Sequence, residues 1–233
     1  MLRTIKKIFN LSKEVRIMSS LHDIDIPSDK ATFAMGCFWA PDSLFGSTLG
    51  VISTRVGYAG GTIGFTPTYR NIGDYTEAIH IVYDPKTISY KTLLKMFWDH
   101  HDPTAKFTKQ YSSYIFYHSD EQKLEAEMTV NEKKKKGLNI LTEVQPAEQF
   151  FNAEDYHQKY RLQQHKSLCR DLGLLTGADF INSHVAARLN GYVVGQGGIK
   201  QFDQEAKQLG LDEISIKYIR QLVIKYEGQG LTC

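Results

Sequence analysis

An α+β fold is predicted by three features of the sequence. Strand-like and helix-like segments alternate with mixed spacing from Thr32 to about Lys136, the composition turns helical from about Lys166, and no internal repeat runs through either part. The expected architecture is a two-layer sandwich, a mixed sheet flanked by helices, followed by a helical C-terminal extension.

Thr32–Gly36 reads as a short buried strand. Pro41 then suits the first turn of a helix running to about Ser47, because its ring lacks only an N–H that would be unpaired there. Val51–Tyr58 is a second strand, ending in the turn Tyr58-Ala59-Gly60-Gly61, and residues 61–75, rich in Gly, Pro and Asn, form a long loop. Glu77–Tyr83 is a third strand, stopped by Asp84-Pro85. Ser89 caps a helix with an apolar face of Leu93, Leu94, Phe97 and Trp98, ended by Pro103. After a fourth strand, Ser113–Tyr117, Ser119 and Gln122 form a capping box for a helix to about Lys136, with Gly137 placed to end it. The run Lys133–Lys136 is a solvated helix end, where cations suit the dipole. Ala186–Leu189, Gln201–Leu209 and Asp212–Tyr226 are helical, and Gly191–Gly198 interrupts them as a loop.

Composition limits function. At 233 residues and 42% hydrophobic content the chain can build one large core with an extension. Three widely spaced cysteines, Cys37, Cys169 and Cys233, make no disulfide framework and no zinc pairing, which fits a reducing, cytoplasmic setting. His165 and Cys169, four apart, are read as a surface pair and not as metal ligands, and His100-His101 as a polar helix end. No apolar run reaches membrane-spanning length. The formal charge is +2, but residues 1–17 carry five basic residues and one acid, a net of +4 that leaves −2 for the rest. The body is nearly neutral, and nothing points to nucleic acid. The basic, amphipathic start is compatible with a mitochondrial targeting segment, a frayed tail, or a true start at Met18. Residues 1–25 are therefore set apart from the fold.

Two residues carry the chemistry. Cys37, in Met35-Gly36-Cys37-Phe38-Trp39, falls where a strand meets a helix, and unpaired N–H groups at a helix start favour a thiolate. An ordinary core cysteine is the competing reading. Glu77 shares a strand face with Ile79, Ile81 and Tyr83. A carboxyl desolvated on that face would hold its proton near neutral pH and could give it up as a general acid. The alternative is that Glu77, at the strand end, turns to water.

Gly36-Cys37-Phe38-Trp39 is similar to the nucleophile motif of the A-type peptide methionine sulfoxide reductases. In order and at nearly the same spacing follow Gly57-Tyr58-Ala59-Gly60-Gly61, Pro67-Thr68-Tyr69, Glu77-Ala78, His101-Asp102-Pro103, Gln110-Tyr111-Ser112-Ser113 and Ala153-Glu154-Asp155-Tyr156-His157-Gln158-Lys159-Tyr160. The resemblance spans Thr32 to Tyr160. It implies that Cys37 attacks the sulfoxide sulfur, that Phe38 and Trp39 form the apolar pocket for the substrate methyl group, and that Glu77, with Tyr69 and Tyr111, binds and protonates the sulfoxide oxygen. Cys37 would be left as a sulfenic acid, condensed to a disulfide by a second thiol and reset by a thioredoxin-like dithiol. No cofactor and no metal are implied. The substrate would be methionine S-sulfoxide, free or in proteins, the role repair of oxidised proteins, and the chain a monomer. Residues 26–165 would be the catalytic domain and 166–233 the extension.

The sequence also departs from that pattern. Relatives carry a Gly-Asn-Asp-containing loop between the His-Asp-Pro and Gln-Tyr motifs, whereas Thr104–Lys109 is shorter and has no acid. Either Asp102 or Asp74 moves in, or the place is unfilled. Asp74-Tyr75-Thr76-Glu77 lacks the His that precedes the acid in relatives, and Ala40 stands where glycine is usual. His157 is read as structural support. Val193 occupies the position of the resolving cysteine that relatives often carry in a glycine-rich tail, so Cys233, after Gly228-Gln229-Gly230, is the expected resolving thiol; Cys169, held in a helix, and a small thiol acting directly on Cys37 are the alternatives. A catalytically weak redox sensor on the same fold, and a thiol peroxidase or acyl transferase, are the competing functions.

Overall fold

The computed structural model describes residues 23–62 and 64–230. The segment 1–17 and Cys233 lie outside them. Six strands form one mixed sheet in the order β5-β4-β1-β3-β2-β6, with β1 at Asp29–Met35, β2 at Val51–Ala59, β3 at Thr76–Tyr83, β4 at Ser113–Tyr117, β5 at Glu143–Pro146 and β6 at Phe151–Asn152. Only the β4–β5 pair is parallel. Three helices, α1 (Trp39–Gly46), α2 (Tyr90–Asp99) and α3 (Asp120–Lys135), cover one face, burying Leu44, Phe45, Leu93, Phe97, Ala126 and Val130 against Phe33, Ile79, Ile81 and Ile115. The expected α+β sandwich is present.

Local signals set the helix limits, and packing supplies most of the stability. The Ser89 hydroxyl accepts the Thr92 N–H at 3.2 Å, a cap of about 1 kcal/mol. Burial of Leu93, Leu94 and Phe97 contributes about 1.5–3 kcal/mol each, so the apolar face outweighs the cap. Ser119 likewise accepts the Gln122 N–H, but the Gln122 side chain turns to the His118 N–H and not to Ser119, leaving half of the expected box. Gly137 sits at φ +84°, past the end of α3, where a left-handed residue stops a helix. Lys133 leans over the Trp98 ring while Lys134–Lys136 are solvated.

Beyond β6 the chain is helical: α4 (Tyr160–Gln163), α5 (Lys166–Asp171), α6 (Gly177–Asn182), α7 (His184–Tyr192), α8 (Gly198–Glu205) and α9 (Glu213–Tyr226). They enclose a second core of Leu162, Leu168, Leu189, Phe202 and Ile219. The expected loop from Gly191 is corrected here, because Gly191 and Tyr192 finish α7. A Cβ on Gly191 would lie 2.3 Å from Ser47 Cβ, so glycine lets α7 press against α1. Asn190 Nδ2 donates to the Ser43 hydroxyl, and the Arg188 guanidinium reaches the Gly46 carbonyl and Glu205. The helical extension is thus seated on the helix that follows Cys37. The chain leaves β6 through Lys159, at φ +50°, whose Nζ donates to the Thr54 carbonyl and pairs with Asp42 of α1 at 3.1 Å, all buried. His165 meets the Tyr218 hydroxyl, while Cys169 is buried, so the two do not form the surface pair the spacing suggested.

Candidate active site

Between β1 and α1 the chain turns through Gly36 at φ +84°. A side chain there would be strained, and the turn brings Cys37 out of the sheet to the rim of a cavity of about 1040 Å³. Phe38 occupies the N-cap of α1, which begins at Trp39, so Pro41 falls in the first turn as expected. Cys37 is half-buried.

Glu77 takes the first of its two predicted positions. It is 1% exposed, on the same face as Ile79 and Ile81, and its carboxyl lines the Cys37 cavity. Oε2 accepts the Phe38 N–H at 3.0 Å and Oε1 accepts Gln110 Nε2 at 2.8 Å. Burial pushes this carboxyl up from its ordinary range, against the opposing pull of those two hydrogen bonds. Both partners are uncharged, so no cation locks the ionised form.

Tyr111 follows Gln110 in a 3-10 turn, Lys109–Tyr111. The Thr76 hydroxyl donates to the Gln110 carbonyl at 3.0 Å and pins that turn beside β3. Tyr111 is hydrogen-bonded to Tyr69, and burial, that bond and the nearby Glu77 charge raise its phenol well above the usual range. Tyr69, 37% exposed, comes from the loop before β3, and its N–H donates to Glu154 Oε1. Cys37, Glu77, Tyr69 and Tyr111 therefore face one cavity from four separate segments, with Phe38 and Trp39 in its wall.

Behind these residues lies a supporting layer, which includes His157 as expected. Trp39 Nε1 donates to Nδ1 of buried His157 at 3.2 Å, and the indole stacks on Tyr160 at 3.9 Å between centroids. Burial lowers the His157 imidazole, with Glu154 opposing, so its neutral form accepts the indole proton. Glu154 also accepts from the Tyr58 hydroxyl. Burial would raise this carboxyl, but hydrogen bonds from Tyr69, its own backbone and Tyr58 hold it below its usual range. Gln110, Glu154 and His157 had no signal beyond their place in the motifs, since their partners are remote in sequence.

The two candidate replacement acids differ in place. Asp102 lines the cavity, exposed, with Oδ1 accepting the Thr104 N–H and hydroxyl, which hold it below the carboxylate range. Asp74 instead accepts from Thr62, away from the cavity. His100 and His101 form the polar end of α2, as expected, and His101 also lines the cavity, with Nδ1 at the Phe97 carbonyl and Nε2 at the Ser113 hydroxyl. The opposite wall comes from the helical extension, Gly195–Gly198 and Glu227–Gly230. A Cβ on Gly195 would lie 2.3 Å from the Tyr226 carbonyl carbon, so this glycine lets the loop lie against the end of α9. Cys169 is far from this role: 6% exposed, its Sγ donates to the Leu162 carbonyl, and burial pushes the thiol up to about 11. Among the described residues no group of three or more His, Cys, Asp or Glu could hold a metal, and no helix is long and apolar enough to cross a membrane.

A mixed sheet presenting a cysteine and a buried carboxyl to one cavity has the parts of a thiol-dependent enzyme site, and similarity to known proteins gives the family. Residues 29–188 match the peptide methionine sulfoxide reductase model, and residues 175–224 match the helical domain of selenoprotein methionine sulfoxide reductase A. A peptide methionine sulfoxide reductase of Drosophila melanogaster is 45% identical over 100% of this chain and 95% of its own. One from Methanosarcina mazei is 46% identical over 57% of this chain and 68% of its own. Among solved structures, reduced Mxr1 of Saccharomyces cerevisiae aligns with a TM-score of 0.54 at 29% identity, covering 63% of this chain and 94% of that one. Methionine sulfoxide reductase A of Corynebacterium diphtheriae aligns at 0.53 and 29%, covering 61% and 77%. The chain belongs to the peptide methionine sulfoxide reductase family, and it is an A-type enzyme of that family with a helical C-terminal domain.

Proposed function

We propose that this reductase acts on the S-epimer of methionine sulfoxide, in oxidised proteins or free, with Cys37 as nucleophile and Glu77 as proton donor. The observation that carries the reading is the shell of Glu77: a 1% exposed carboxyl held only by neutral donors, opening on the cavity of the half-buried thiol. A sulfoxide oxygen leaves poorly until protonated. In the proposed step the Cys37 sulfur attacks the sulfoxide sulfur while Glu77, through the Tyr69–Tyr111 pair, supplies a proton to the oxygen. The oxygen passes to Cys37, methionine leaves two electrons richer, and Cys37 becomes a sulfenic acid. Phe38 and Trp39 give the substrate methyl group an apolar wall, and His157 and Tyr160 hold the indole in place.

Recycling would use Cys233. Glu227–Gly230 already line the Cys37 cavity. Three further residues span at most roughly 10 Å, within range of the Cα separation of about 7 Å or less that a disulfide needs. Condensation forms the Cys37–Cys233 bond and releases water, and a thioredoxin-like dithiol then takes over the disulfide. The buried thiol of Cys169 offers no such reach. Turnover of each sulfoxide epimer with dithiothreitol tests the function. Strict use of the S-epimer upholds it, and equal use of both, or none, refutes it. Peptide mapping after one turnover without reductant tests the resolving thiol: a Cys37–Cys169 crosslink, or Cys37 sulfenic acid with Cys233 still a thiol, contradicts it.

A further inference from the structure

The sheet face turned away from α1, α2 and α3 carries a row of polar side chains that the reductase site does not use. Strand register sets Arg55 opposite His80, His80 opposite Thr32, and Thr32 opposite Phe116, so one line crosses β2, β3, β1 and β4. Lys30 lies two residues along β1 on the same face, and His118 two beyond Phe116. The Thr32 hydroxyl bonds His80 Nδ1 at 2.9 Å and His118 Nε2 at 2.8 Å. One hydroxyl proton can serve only one imidazole. That imidazole, when neutral, keeps its own proton on the other nitrogen, a donor turned away from Thr32.

These groups line a second cavity, about 810 Å³, with Phe150 and Gln145 in its wall. Arg55 lies over the Phe150 ring at 5.2 Å, and its Nε is buried with no hydrogen-bond partner. A buried, charged donor left unpaired is costly. Burial lowers Arg55, and it lowers His80 to about 3, helped by the charges of Arg55, His118 and Lys30. No carboxylate offsets either shift. Glu148 also lines the cavity but is exposed and makes no ion pair among the described residues. Arg55, Lys30, an outward imidazole N–H and the Phe150 ring make a donor-rich, aromatic-walled cavity whose two cations outnumber its one lining carboxylate, Glu148.

We propose that this cavity binds a small phosphate-type oxyanion, anchored by Arg55, with Lys30 and the one outward imidazole N–H completing its shell. The ion can be free phosphate or the phosphate of a larger small molecule that stacks on Phe150. The test uses the full reduced chain at constant ionic strength, titrated separately with inorganic phosphate, adenosine monophosphate and, as control, chloride. Phosphate is expected to raise the melting temperature saturably and to move the imidazole resonances of His80 and His118. Arg55→Gln should weaken binding about tenfold or more, with Lys30→Gln, at an exposed position, as a second variant that keeps the fold. Tighter binding of the nucleotide than of phosphate assigns the site to the larger molecule, and equal binding assigns it to the free ion. A response equal to chloride, imidazole resonances that stay fixed, or undiminished affinity in both variants overturns the proposal. Each readout is binding, so the result is independent of the roles given to Cys37 and Glu77.

Discussion

The Cys37 cavity and the interior of the helical extension each hold a desolvated glutamate, a tyrosine and a cysteine, yet their partners are of opposite kinds. Burial raises both Glu77 and Glu205. At Glu205 the rise is opposed by the full charge of Arg188, at 2.6 Å and 1% exposed, with the Tyr192 hydroxyl on the same oxygen. At Glu77 it is opposed only by an amide and a backbone N–H. Cys169 is sealed among Leu162, Leu168 and Leu172, whereas Cys37 opens on a cavity. Burial by itself therefore does not make a reactive group. A neutral shell and an opening leave a proton and a thiol available, and a cation and a closed core convert the same residue types into scaffold.

The comparison breaks most sharply at the cysteines. Cys37→Ser should lose all sulfoxide reduction while keeping the circular dichroism spectrum of the wild type, because a hydroxyl stays protonated and attacks sulfur poorly. Cys169→Ser should turn over normally with dithiothreitol. If the two variants behave alike, the contrast between open and sealed thiol has no functional meaning. Next in size is the scaffold pair. Arg188→Met leaves the part-buried Glu205 beside Tyr192 without its cation, and unfolding in urea should show a loss of about 2–4 kcal/mol, somewhat below that of a fully buried pair. A loss under 1 kcal/mol would mean that Glu205 is as loosely compensated as Glu77.

A smaller change sharpens the account at the cavity. The Gln110 amide lowers the Glu77 carboxyl, so Gln110→Ala should let it rise further. Since the protonated form is the donor, activity would then persist to higher pH, and the alkaline limb of the rate profile should move upward. A downward shift would show that Gln110 acts on the rate by another route.

How much of this was legible in the sequence follows from the range of each interaction. The caps at Ser89 and Ser119 and the stop at Gly137 depend on residues within a few positions and stand out in the pattern, whereas alternation left Glu77, at a strand end, between an inward face and solvent. β5 and β6 do not: they are edge strands of four and two residues, with no alternation to betray them, held by pairing to β4 and β2. Gly191 looks like a loop residue until α1 is brought against it. Nothing near Lys159 in the chain announces its burial, because its partners Asp42 and Thr54 lie more than a hundred residues earlier. At the site, Cys37, Glu77, Tyr69 and Tyr111 were named from motifs. The amide that holds Glu77, the histidine that holds Trp39 and the cavity wall from Gly195–Gly198 exist only once the chain is folded.

The most direct test is the single-turnover reduction rate of methionine S-sulfoxide by wild type and Glu77→Gln, followed from pH 5 to 9. With a carboxyl raised by burial as the donor, the wild-type rate should fall at high pH as that carboxyl ionises. The variant should be slower by a factor on the order of ten to ten thousand, the range of a general acid, and should lack that limb. Equal rates across the range would contradict the account, because the proton would then come from a group other than Glu77.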